Sequence, residues 1–296
     1  LDAGSVSVKG VVIDGSGSVL RREHRVHRGH PLPTAFEVLT ILAGSDDCAL
    51  AVTGSAGKLI ATVLGIKPLN EIVAQACATR RLHPQIRTVI EMGGEDSKLI
   101  LLDHDGMKDF SMNSVCAAGT GSFLDQQAER LRLGIGEFSE LSLRSARPPR
   151  IAGRCSVFAK SDMIHLQQIA TPVEDIVAGL CFAVARNFKG SIVRGKSIAP
   201  PVSFQGGVAA NKGMVRAFRD VLGLEELFVP PDFVFMGAIG AALKASDEGT
   251  ASAFVLRDLE KHAAGARIPA AGHLPLLRTG DGFAERHPPG TAAVSD

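Results

Sequence analysis

Glu91-Met92-Gly93-Gly94-Glu95-Asp96-Ser97-Lys98 closes one apolar run, residues 87–92, and opens another, residues 98–102. Two adjacent glycines between apolar runs predict a strand-to-strand turn whose amides converge on an anion, and the flanking carboxylates suit a hydrated Mg²⁺ and an attacking water. The second run turns at Asp103-His104-Asp105-Gly106, so the glycines lead into a β-hairpin. The same arrangement stands at the N-terminus. Asp2-Ala3-Gly4-Ser5-Val6-Ser7-Val8-Lys9 begins a hairpin whose arms, residues 6–13 and 19–26, are joined by Asp14-Gly15-Ser16-Gly17. Gly4 lets an anion approach the backbone, Ser5 and Ser7 offer donors to phosphate oxygens, and Asp2 can hold a hydrated Mg²⁺. Alone, each loop also fits an ordinary polar strand start or a plain turn. Two loops in corresponding places of two halves are far more specific.

Outward from these hairpins the chain alternates helices and strands. A helix is expected over residues 35–42, a strand over 48–52, a glycine turn at Thr53-Gly54-Ser55-Ala56-Gly57, then helices from Lys58 and over 70–78. After the second hairpin come helices over 118–131, 156–168 and 173–189, a strand over 202–205, and helices over 211–221 and 236–246 that close the folded part. Residues 265–296, rich in alanine, glycine and proline, read as linker or tail. Two hairpin-led halves facing one cleft imply two lobes: residues 1–88 with 233–264, and residues 89–232.

A third glycine pair occurs in Phe204-Gln205-Gly206-Gly207-Val208-Ala209-Ala210-Asn211. A strand, a double glycine and a helix start allow a base or ribose to lie against the backbone, although packing alone also accounts for the glycines. Gly237 and Gly240 give the last helix a small-residue side that lets two segments lie close.

With 296 residues, 45% of them hydrophobic, the chain can bury a sizeable core, and its net charge of +1 offers no basic stripe for nucleic acid. No uninterrupted apolar run approaches the ~18 residues of a membrane span, so no membrane partner is expected. Five cysteines form no disulfide framework and fit a reducing, cytoplasmic setting. Cys48, Cys77 and Cys181 fall in apolar or helical runs and read as core. Cys116 and Cys155 each precede a helix, where free amides and the macrodipole favour a thiolate and an anionic cluster bound to it. A cubane needs four thiolates; one chain offers two and two chains offer four. Two buried helix-cap cysteines would be the simpler alternative.

At these residues the sequence resembles the activator ATPases of 2-hydroxyacyl-CoA dehydratases and benzoyl-CoA reductases (BadF/BadG/BcrA/BcrD type). The resemblance spans roughly residues 1–246 and is most specific in Asn113-Ser114-Val115-Cys116-Ala117-Ala118-Gly119-Thr120-Gly121-Ser122-Phe123-Leu124 and Arg154-Cys155-Ser156-Val157-Phe158. It implies an α/β, two-lobed actin-like ATPase fold, the RNase H-like architecture of actin, Hsp70 and sugar kinases. It implies a homodimer with one 4Fe–4S cluster held by Cys116 and Cys155 of each copy. It further implies ATP or ADP with Mg²⁺ in the cleft, reduced ferredoxin or flavodoxin as donor, and an acyl-CoA dehydratase or reductase component receiving one electron. By the same resemblance Gly4, Ser5, Ser7 and Lys9 belong to the first phosphate loop. Gly93, Gly94, Asp96, Ser97 and Lys98 belong to the second, and Gly206, Gly207 and Gly237 lie with the nucleotide. Glu91 orients the attacking water and Asp2 holds the metal through water. Two positions depart from the family pattern, Glu91 where many members carry aspartate and Glu95 where many carry glutamine. That combination, a first strand that reads as starting before Leu1, and the linker-like tail resemble a domain of a long, fused member. A small-molecule kinase of the same fold acting on an amino sugar, and a non-catalytic nucleotide-binding module, are the alternatives.

Overall fold

The computed structural model describes residues 1–44, 48–113, 119–153 and 156–265. Strands β1 (Asp2–Ala3), β2 (Ser7–Ile13) and β3 (Val19–Val26) form an antiparallel sheet in that order. Period-two alternation along β2 covers it on both faces. Val8, Gly10 and Val12 pack toward α1 (Pro31–Ala43), whereas Val11 and Ile13 pack toward α9 (Met236–Glu248). Helix α1 starts four residues before the expected 35–42 span because Pro31 sits in its first turn, where a missing N–H costs nothing. Helix α2 (Gly57–Leu64) and helix α10 (Leu256–Gly265) complete that layer, with Leu259 fully buried beside Val38 and Leu42. The folded part therefore extends past residue 246. Residues 48–52, expected as a strand, form only the isolated bridge of Leu50 to Ser252, and Thr53 bridges to Asp2.

The second sheet runs β6 (Met107–Asn113), β5 (Ser97–Leu102), β4 (Thr88–Met92), β7 (Val202–Gln205), with β4 and β7 parallel and the other pairs antiparallel. Its strands β4, β5 and β7 are buried on both faces, which explains the nearly continuous apolar runs of β4 and β5, whereas the edge strand β6 is largely exposed. Val89, Ile100 and Leu102 pack on α3 (Glu71–Leu82). Ile90, Met92, Leu99 and Phe204 face a layer built from α4 (Gly121–Arg130), α5 (Ile135–Arg144), α6 (Ser156–Gln168), α7 (Val173–Phe188) and α8 (Lys212–Leu222). Helix α5, absent from the expected elements, buries Ser139 and Ser142 beside Phe138. Helix α7 continues through a π-turn (Lys189–Val193), making 21 residues, Val173–Val193, long and apolar enough to cross a membrane. Two-thirds of that stretch is buried here, as in a core helix.

Between the sheets, α3 and α9 cross at small residues. A methyl on Gly240 would strike the Ala74 carbonyl, while Ala78 meets Met236, Ile239 and Leu243. The Asn70 side chain caps α3 by accepting from the amides of Ile72 at 2.9 Å and Val73 at 3.2 Å. Gln75 then donates to Gln205 at the end of β7 over 2.5 Å inside the protein, and Gln205 donates in turn to Thr79 at 3.1 Å. Gly240→Ala should force the crossing apart and destabilise by ~1–3 kcal/mol, the range for overpacking. Gly190→Ala, where an added methyl meets nothing within 4 Å, is the reference in thermal unfolding and should hold Tm or raise it slightly.

Candidate functional site

A cavity of about 370 Å³ lies between the two halves, within the size range of small-molecule sites. The first loop enters it between β1 and β2. There the Gly4 amide donates to the Ser7 carbonyl at 3.0 Å. His27 accepts the Gly29 N–H at Nδ1 over 3.0 Å, which makes Nε2 the donor to the Gly4 carbonyl at 3.1 Å. The loop is thereby braced from β3. Asp2 is wedged between glycines: an added Cβ on Gly54 or Gly237 would come within 2.5 or 2.8 Å of its carboxylate. Its nearest cation is Lys9, at 3.7 Å.

The second loop is fixed by the start of α4. The Gly121 and Ser122 amides donate to the carbonyls of Gly93 and Gly94 at 2.9 and 2.8 Å, and Gly93 N–H donates to Asp96 at 3.0 Å. Gly94 needs to be glycine for proximity rather than for a left-handed backbone, since an added Cβ would overlap the Val6 side chain of the first loop. The two loops thus touch. Gly206, by contrast, has φ of 86°, and a Cβ there would strike the Met92 carbonyl and come within 2.7 Å of Glu91 Oε1.

The floor of the cleft is ionic. Glu91 and Lys98 are cross-strand neighbours in the β4–β5 register. Lys98 Nζ lies 2.9 Å from Glu91, 2.9 Å from Asp96 and 3.5 Å from Glu71, with its side chain 5% exposed. Burial alone would depress this ammonium, but the three carboxylates outweigh it and hold it above the ordinary lysine range. Burial pushes the carboxyls of Glu91 and Glu71 up, against the pull of Lys98.

Of the candidates from sequence, Asp2, Gly4, Ser5, Ser7, Lys9, Glu91, Gly93, Gly94, Asp96, Lys98, Gly206, Gly207 and Gly237 all line this cavity. Ser97 does not. It is buried, and its hydroxyl donates to the Gly119 carbonyl at 2.9 Å. Cys116 and Cys155 lie outside the described residues, as does the tail from residue 266. Cys181 is fully buried, with its thiol pushed up to about 12 by burial, whereas Cys48 and Cys77 are only partly covered. Sequence reading missed Glu71, Gln75 and Asp125, which also line the cavity. The N-cap Asn70 signals where α3 begins, but only tertiary packing brings the adjacent Glu71 to Lys98. The hard oxygens of Asp2, Glu91 and Asp96 suit Mg²⁺. Among the described residues no group of three His, Cys, Asp or Glu is arranged to hold a metal alone.

The sequence model of the BadF/BadG/BcrA/BcrD ATPase family matches residues 1–245. The chain belongs to that family. One family relative, the 2-hydroxyisocaproyl-CoA dehydratase activator of Clostridioides difficile, is 35% identical over 260 residues, 85% of this chain and 96% of that protein. The crystal structure of component A of (R)-2-hydroxyglutaryl-CoA dehydratase from Acidaminococcus fermentans superposes with a TM-score of 0.76 at 30% identity, over 83% of this chain and 96% of that one. The activator of 2-hydroxyisocaproyl-CoA dehydratase from Clostridium difficile with bound ADPNP gives a TM-score of 0.74 at 31% identity, over 88% of this chain and 96% of that one. The architecture is accordingly the two-lobed actin-like ATPase fold.

In this family member the Lys98 cluster should behave as a buried network. Lys98→Met leaves Glu71, Glu91 and Asp96 without their shared cation, and loss of one partner of a buried pair costs ~3–5 kcal/mol. Without that cation the carboxyls of Glu71 and Glu91, already raised by burial, rise further, so the folded state binds protons more tightly than the unfolded chain. The deficit in urea-unfolding free energy should therefore be largest at neutral pH and shrink as pH falls through the raised carboxyl range.

Proposed function

We propose that this protein is an ATP-dependent activator that delivers one electron to an acyl-CoA dehydratase or benzoyl-CoA reductase-type component. The observation that carries the nucleotide part is the contact of Gly94 with Val6, which brings two glycine loops to one point of the cleft. The activator part is supported by the similarity to dehydratase activators and by the Cys116 and Cys155 segments. In this reading Gly4, Ser5, Ser7 and Lys9 meet the phosphates from the first lobe, and Gly93, Gly94 and Asp96 meet them from the second. Gly206, Gly207 and Gly237 admit the nucleoside, with Lys98 holding the carboxylates in place behind the phosphates. Asp2 would position Mg²⁺ through water, since its closest cationic neighbour is 3.7 Å away. Glu91 orients the attacking water; a carboxyl pushed up by burial accepts a proton more readily than an ordinary one.

Cys116 and Cys155 of two copies would hold a 4Fe–4S cluster, which supplies the one-electron chemistry. The setting is a reducing cytoplasm, with ferredoxin or flavodoxin as donor. The moving parts are residues 1–88 with 233–264, and residues 89–232. Glu71–Lys98 and Gln75–Gln205 tie them across that boundary. Swinging a two-state hinge from 1:99 to 99:1 takes ~5.5 kcal/mol of differential binding, which phosphate and Mg²⁺ contacts can supply. Closure moves the starts of the helices that follow the two cysteines.

Anaerobic purification should yield a brown dimer with ~4 iron and ~4 sulfide. Cys155→Ala should lose the iron and the activation of the partner component while still binding ATP. A wild-type protein that binds ATP yet takes up no iron after anaerobic reconstitution would reduce this reading to a nucleotide-binding module. Phosphoryl transfer to a sugar hydroxyl would replace it with a kinase.

A further inference from the structure

One wall of the cleft carries polar groups that the phosphate loops do not use. Helix α4 begins at Gly121, whose backbone lies against Gly93, Gly94 and Val208. Asp125 stands four residues on, one turn along the same face and about 6 Å farther down the helix axis. Its carboxylate opens into the cavity and has no hydrogen bond or ion pair among the described residues. Although the residue is exposed, the cleft walls withhold enough water to push its carboxyl above the ordinary range, with no neighbouring cation among the described residues to offset this.

Most of the other polar groups on this wall are already engaged. Ser139 Oγ accepts the Lys212 amide at 2.9 Å, and Glu140 pairs with Lys212 Nζ at 2.8 Å. Asn211 caps α8 through Oδ1 at 3.1 Å, while its Nδ2 is a buried donor with no partner among the described residues. Around them Leu124, Ile135 and Val208 supply apolar surface to the same cavity.

We infer that Asp125 recognises the ribose of a bound nucleotide, accepting hydrogen bonds from the vicinal 2′- and 3′-hydroxyls. This deepens the nucleotide reading above and rests on it. The spacing fits: phosphates seated at Gly93 and Gly94 place the sugar one helical turn away, and the base reaches the apolar patch of Ile135 and Val208. A carboxylate short of donors is matched by a diol that brings two. The cleft then selects ribonucleotides, and the selection sits in one side chain.

The test is calorimetric titration of the full chain and of Asp125→Ala and Asp125→Asn with MgATP, Mg-2′-deoxyATP and tripolyphosphate, with thermal unfolding as the fold check. Wild type should bind ATP about tenfold or more tightly than 2′-deoxyATP, equivalent to ~1.4 kcal/mol. In Asp125→Ala that ratio should fall to near one with Tm unchanged, and Asp125→Asn, which keeps an acceptor oxygen, should lie between. A ratio near one in wild type, or the same ratio in wild type and Asp125→Ala, overturns the ribose assignment while leaving the nucleotide reading intact. Wild type that binds neither nucleotide overturns both.

Discussion

The cleft exists because backbones pass where side chains do not fit. Gly240 of α9 rides over the Ala74 carbonyl of α3, and this crossing joins a helix lying on the first sheet to a helix lying on the second. Interiors pack like crystals and transmit sub-ångström displacements, so the position of one sheet against the other is set by these small residues. The contact of Gly94 with Val6 is the same principle at the far end of both hairpins. Two loops built separately on two sheets meet in register only if the helices between them are held close.

Helix α3 links those two scales. Ile72 and Ala76 pack on Val89 and Ile100 of the second sheet, and Ala78 packs on α9. From the same helix Glu71 reaches Lys98 and Gln75 reaches Gln205. Buried amide and ion-pair contacts are directional, and an unmatched member costs the full desolvation of its charge or dipole. Apolar packing alone would tolerate many offsets between the halves; these polar ties favour one.

Much of this is visible in the sequence. Strands buried on both faces read as continuous β-branched and aliphatic runs, and the glycine pairs mark where the chain turns back into the cleft. The reasons for the glycines are less visible: Gly206 requires its positive φ, whereas Gly94 and Gly237 answer to residues about ninety or more than two hundred positions away. Helices α5 and α10 are legible too, since each carries an amphipathic pattern, but both are short and the expected elements omit them. Glu71 and Asp125 look like ordinary helix-surface acids until tertiary packing turns them toward a common cavity. Ser97 errs the other way: its place beside the glycine loop suggests a phosphate donor, but strand alternation turns it from the cleft, opposite its neighbour Lys98.

The charge balance of the cleft floor has a consequence for what can enter it. Asp2, Glu71, Glu91 and Asp96 set four formal negative charges against the two positive charges of Lys9 and Lys98. Low dielectric strengthens this surplus, and burial already pushes Glu71 and Glu91 up in response. A polyphosphate arriving alone would add several more negative charges to the same volume. The loops' amides supply only partial dipoles, so a polyphosphate seated there would need a divalent cation beside it for full compensation. On the proposed reading the floor would couple the two ligands, each lowering the electrostatic cost of the other.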